Sequence, residues 1–232
     1  MNRILPVVAA FGLVLAGPLK AQENPVVVEL FTSQGCSSCP AADEILRDIA
    51  GRDDIIALAL HVDYWDYIGW EDPFGDPDHA ERQRAYARNA GRKSIYTPEM
   101  IVNGTTDIVG AKPMELTKAI MNHSKAAPRV ALKLDRDGDT LAISAEMLVD
   151  PQEPMTLHFL RYIPEQETHI ERGENAGKTI LYANVVEDWT ALGSWDGKQP
   201  LEMTHEISGD KPVVVIVQGG EAGPILAAAR LR

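Results

Sequence analysis

VVVELFTSQGCSSCPAADEIL, residues 26–46, contains the only two cysteines of the chain, Cys36 and Cys39, with two residues between them. Val26–Thr32 is a short apolar, β-branched run that suits a buried strand. The residues after it read as a helix opening at the cysteines. Ser37 and Ser38 can cap it, Pro40 falls in its first turn, Asp43 and Glu44 lie near its positive end, Ile45, Leu46 and Ile49 form an apolar face, and Gly51 stops it. Unpaired N–H groups and the macrodipole at a helix N-terminus both favour an anion. Cys36 is therefore the expected attacking thiolate, and Cys39, one turn into the helix, the thiol that resolves a mixed disulfide.

Two other readings of the pair stay open. Structural zinc takes four ligands, usually from a second CxxC or a histidine pair, and the chain has neither. A bridge closing so small a loop gains little, because the entropic gain grows with loop length. The pair reads first as redox-active, with a structural disulfide or a copper(I) site as alternatives.

Upstream, Arg3 precedes an apolar run from Ile4 to Gly17 and a short stretch ending in Ala21, which reads as a secretory signal peptide over residues 1–21. The run is shorter than the ~20 residues of a spanning helix. Its removal leaves 20 basic against 34 acidic residues, and no basic block, so nucleic acid and anionic lipid are poor partners. The expected location is secreted or periplasmic, where disulfides persist, with no membrane span in the mature chain.

Downstream, the organisation changes near residue 128. Before it, strand-like and helix-like segments alternate: Asp54–Asp63, a helix from Asp76 to Gly91, a hairpin about Asn103-Gly104, and a helix from Lys112 to Lys125. After it, period-two alternation dominates. Val130, Leu132 and Leu134 face Leu141, Ile143 and Ala145 around Asp137-Gly138, and further strands are expected at 155–163, 179–186, 201–206, 213–218 and 224–231. The order β-α-β-α-β-β-α of the first half is the thioredoxin order, and the second half reads as a β-sandwich or a sheet packed on it.

Other residues bear on the cysteines. Thr97-Pro98 stands directly before a strand, where thioredoxins carry a cis-proline facing the CxxC. Glu29 interrupts the first strand, and burial there would make it a proton carrier for Cys39. His61–His79, HVDYWDYIGWEDPFGDPDH, follows the second strand and so falls at the same sheet edge as the CxxC. Tyr64, Trp65 and Trp70 in it read either as a substrate platform, with His61 or Asp63 tuning Cys36, or as a small core covering the sheet. A metal set of His61, Asp63 and His79 is a weaker reading. Arg172–Thr179, RGENAGKT, lacks the Walker spacing and reads as a turn, with Glu174 and Asn175 able to face the first half.

The motifs VELFTSQGCSSCPAAD, HVDYWDYIGWEDPF, RQRAYA, YTPEMIVNG and GENAGKT…ANVV resemble those of a secreted bacterial family with a thioredoxin-like fold and no assigned function. The resemblance spans the mature chain and implies the fold, but no substrate. Likeness to thioredoxins more broadly implies Cys36 as nucleophile, Cys39 as resolving thiol and Pro98 as part of the substrate groove. Two departures stand out: Glu29 lies one residue farther from the cysteines than the thioredoxin acid, and Ser37-Ser38 replaces Gly-Pro.

The expectation is an α/β thioredoxin-like domain over residues 22–127 and a mainly antiparallel β domain over 128–232. The expected activity is thiol–disulfide exchange with Cys36, Cys39 and Glu29 at the chemistry, and Thr97, Pro98, His61, Asp63, Tyr64, Trp65 and Trp70 at the substrate. No cofactor is required, and the partners would be protein or peptide thiols and disulfides and a redox partner protein. A binding module with a structural disulfide is the competing expectation.

Overall fold

The structure is a computed structural model that describes residues 24–232, so the expected signal peptide lies outside it. Strands β1 (Val26–Thr32) and β2 (Ile55–His61) are buried at every position and run parallel, in register from Val26 opposite Ile55 to Thr32 opposite His61. Near-continuous apolar runs, broken in β1 only by Glu29 before the closing Thr32, suit strands covered on both faces. The covers are helices α1 (Pro40–Ala50), α2 (Pro77–Asn89) and α3 (Pro113–His123). Val28 and Leu30 pack with Ala42 and Leu46 of α1 and Leu116 of α3, whereas Val27 and Phe31 pack with Ala80, Ala85 and Tyr86 of α2. Alternate residues of β1 thus see different helices.

Strands β3 (Glu99–Val102) and β4 (Thr106–Val109) form the expected hairpin, and Asn103 and Gly104 turn it with φ of 46° and 71°. Gly104 has a second reason to be glycine, because a Cβ there would meet the Gly223 carbonyl oxygen at 2.3 Å. Helix α1 starts one or two residues later than capping by Ser38 or Ser37 would set it. Pro40, which has no N–H to leave unpaired, takes its first position, and Cys39 is the residue before it.

The second half supplies β5 (Val130–Asp137), β6 (Thr140–Met147), β7 (Met155–His169), β8 (Thr179–Trp195), β9 (Leu201–Glu206), β10 (Val213–Gly219) and β11 (Ile225–Leu231). Only β5, β6 and β9 form a sheet of their own. The other four extend the first sheet to eight strands, in the order β11-β10-β7-β8-β2-β1-β3-β4. The halves are joined along the edge of β2, where Ala59 pairs with Val185 and the Asn184 side chain donates to the Ala57 carbonyl at 2.8 Å. Leu132, Leu141 and Ile143 of the small sheet pack on Leu157, Phe159, Val215 and Leu226 of the large one. The sandwich-like part therefore shares one of its sheets with the α/β part. Among the described residues no helix is long and apolar enough to cross a membrane.

Candidate functional site

Cys36 and Cys39 are joined as a disulfide with Cα atoms 5.4 Å apart. A turn closed by the Cys39 N–H on the Cys36 carbonyl carries the chain into α1. Ser37 and Ser38 face solvent, yet Cys36 is 2% exposed and Cys39 wholly buried. Two segments lie against the turn.

The first is the aromatic segment after β2. Trp70 donates its indole N–H to Gln34 Oε1 at 2.8 Å, and Asp72 accepts the Gln34 backbone N–H at 2.8 Å. A Cβ on Gly35 would stand 3.0 Å from the Trp65 Cβ, so the glycine lets this segment approach. Trp65 turns its own indole N–H to Thr97 Oγ1 at 2.7 Å, next to the Thr97–Pro98 peptide, which is cis. The aromatic segment thus touches both the CxxC turn and the Pro98 loop. The segment is also a cover: Tyr64 bonds Gln83 of α2, and Phe74 packs edge-on to the buried His61 ring. Tyr67, stacked on Trp65, is left 82% exposed.

The second segment is the tip of the β7–β8 hairpin, which the sequence shows only as a turn. Asn175 donates through Nδ2 to both the Gln34 and Cys36 carbonyls, at 2.9 and 2.8 Å, and Lys178 holds the Asn175 Oδ1 at 2.8 Å. Glu174 accepts the Ser37 N–H at 3.3 Å, and Gly173 lies on the Trp70 Cβ. Residues almost 140 positions away thus satisfy the backbone of the cysteine turn. Buried carbonyls need such partners.

Beneath the turn His61, a candidate from the sequence, is gathered with Asp43 and Asp72, two acids that sequence reasoning missed. Thr32 and His61, paired at the carboxyl ends of β1 and β2, both point toward α1. Thr32 donates its hydroxyl to Asp43 Oδ1 at 2.8 Å, and His61 Nδ1 lies 2.7 Å from Asp72 Oδ2. Burial drives the Asp43 carboxyl up to about 7, against the opposing pull of His61 and the Thr32 hydroxyl. Burial also pulls the His61 ring down, but Asp72 and Asp43 outweigh it and the net shift is upward. Burial pushes Asp72 up, and His61 with the Gln34 and Phe74 N–H groups outweighs it, so the net shift is downward. Asp43 Oδ2, His61 Nε2 and the Tyr182 hydroxyl are buried with no hydrogen-bond partner. The Tyr182 ring packs 4.9 Å from that of His61. Asp43 reads in sequence as a favourable first-turn acid, and only the i, i+4 spacing from Cys39 could have flagged it.

Glu29 has a different place from the one expected. It alternates with Val27 and Phe31, so it faces α2 rather than the cysteine helix, and it accepts Arg82 Nε at 2.6 Å and the Tyr86 hydroxyl. The buried ion pair explains how an acid tolerates this strand, and both of its oxygens are occupied. Asp63 contributes a turn carbonyl to Asp66, and His79 bonds the His61 backbone carbonyl rather than sharing a ligand position with its ring. Among the described residues no three metal-ligating side chains converge.

Residues 27–218 match the family described as Protein of unknown function (DUF1223). The chain belongs to that DUF1223 family. It is similar to protein AGR_C_4864 from Agrobacterium tumefaciens, whose crystal structure superposes with a TM-score of 0.77 at 31% identity over 91% of this chain and 96% of that one. HBP35 of Porphyromonas gingivalis shares the fold, with a TM-score of 0.63 at 18% identity over 91% of this chain and 76% of that one. No curated protein matches the sequence.

Proposed function

We propose that this DUF1223 protein is a thiol–disulfide oxidoreductase of thioredoxin-like fold, acting in a secreted or periplasmic setting. The observation that carries the reading is the disulfide at the head of α1, in a turn whose Gly35 is approached by Trp65, the residue that bonds Thr97 next to the cis Pro98. The order β2-β1-β3-β4, with β1 and β2 parallel and β3 antiparallel, supports the fold. The exchange step is attack of a substrate thiolate on Cys36 Sγ, which breaks the Cys36–Cys39 bond and leaves Cys39 as the departing sulfur, or the reverse. Trp65, Tyr67 and Thr97 would flank the entering substrate, a polypeptide thiol or disulfide.

The near-complete burial of both cysteines favours one rival, a structural bridge in a binding module. Trapping separates the two. With Cys39→Ser, Cys36 is expected to accumulate a mixed disulfide with glutathione or a cysteine peptide, and Cys36→Ser to accumulate far less through Cys39. A Cys36 thiol that stays free under an oxidising glutathione buffer would leave the rival.

A further inference from the structure

Exchange at a buried disulfide requires somewhere for a proton to go. When Cys39 departs, a thiolate appears in a site with no solvent exposure, and an unpaired charge there is costly. Glu29 cannot take this part, since it lies on the other face of β1 and both of its oxygens are held by Arg82 and Tyr86. Asp43 lies one turn along the same helix from Cys39, and its N–H donates to the Cys39 carbonyl at 3.1 Å. It is 4% exposed, and its Oδ2 has no partner.

We propose that Asp43 gives and takes the Cys39 proton during exchange, with His61, held by Asp72, as the charge that steadies its carboxylate. This deepens the redox reading and rests on it. When a substrate thiolate attacks Cys36 Sγ, the electron pair of the broken bond stays on Cys39, which takes the proton of the Asp43 carboxylic acid. The resulting carboxylate keeps the Thr32 hydroxyl on Oδ1, and His61 is the neighbour whose charged form favours it. In reverse, the carboxylate takes the proton as Cys39 attacks the Cys36 mixed disulfide, and the substrate leaves as a thiolate. The other groups facing Asp43 fit this exchange: Asp72 favours the charged form of His61, and Tyr182 carries a hydroxyl with no competing partner. The carboxyl is tuned to about 7, where either form is accessible.

The test is single-turnover reduction of the oxidised protein by glutathione from pH 5.5 to 9, with each rate constant referred to the glutathione thiolate. In the wild type this constant is expected to fall as Asp43 loses its proton near pH 7. Asp43→Asn, which keeps an acceptor for Thr32, is expected to be at least about tenfold slower at pH 6 and to converge on the wild type by pH 9. A ratio that does not change with pH would overturn the inference and leave the oxidoreductase standing. Failure of the wild type to be reduced at any pH would overturn both. Should the variant not fold, carboxyl NMR of the wild type decides: an Asp43 midpoint near 7 that moves when the pair is reduced supports the proposal, and an ordinary, unmoving midpoint refutes it.

Discussion

Asp43 and Glu29 show how far a residue's chemistry can depart from its place in the sequence. Both are acids in the first structural unit, and Glu29 is the conspicuous one because it breaks an apolar run. Yet Glu29 serves the packing of α2, and Asp43 carries the raised carboxyl. Period-two alternation places Glu29 with Val27 and Phe31, but which helix covers that face depends on the whole topology. Two predictions follow from this contrast. Because the Asp43 carboxyl is raised when folded, the folded chain binds the proton more tightly, so stability falls as pH rises from about 4 to about 7, by something on the order of 4 kcal/mol. His61, also raised, adds to the same downward slope around and above its ordinary value, whereas the depressed Asp72 acts only at acid pH, below the ordinary carboxylate range. Urea midpoints measured across this range should therefore decline, and Asp43→Asn should flatten the decline. Glu29→Gln leaves Arg82 buried beside a neutral amide, and a loss of about 3–5 kcal/mol in the same measurement is expected. The pH profile of exchange should not move with it.

At the scale of elements, the β7–β8 hairpin is the least legible and the most consequential part. β7 runs on to His169, beyond the segment that alternation marks, and β8 runs from the expected Thr179 on to Trp195, because the added stretches are mostly exposed. Without a buried face there is no period to read. The tip nonetheless reaches the cysteine turn through Glu174 and Asn175. The α1 and hairpin signals, by contrast, are plain: Pro40 and Asn103-Gly104 each have a local physical cause. If the tip closes the site, Asn175→Ala should cost about 1–3 kcal/mol by unpairing two buried carbonyls. It should also speed alkylation of Cys36 in the reduced protein and raise hydrogen exchange of residues 34–39. Unchanged alkylation would mean that the tip is only a brace.

Across the whole molecule, the break in pattern near residue 128 is real as a change of element type, but the large sheet crosses it. A single-strand seam between β2 and β8 is invisible in sequence, since β2 is apolar whether it is an edge or a centre. Cutting the chain after residue 127 exposes that edge and the fully buried Leu58 and Leu60 at once. The isolated piece is expected to aggregate or to lack a cooperative thermal transition, and a sharp transition would show that the α/β part folds alone. The central claim, that the disulfide is a working exchange pair, meets its most direct test in the reduction potential of Cys36–Cys39, equilibrated in glutathione buffers and read by mass-tagging free thiols. A value above about −270 mV, with a Cys36 thiolate pKa below ~7.5 from alkylation rates, is the predicted result. A value well below about −300 mV with no reactive thiolate would contradict it and mark the bridge as structural.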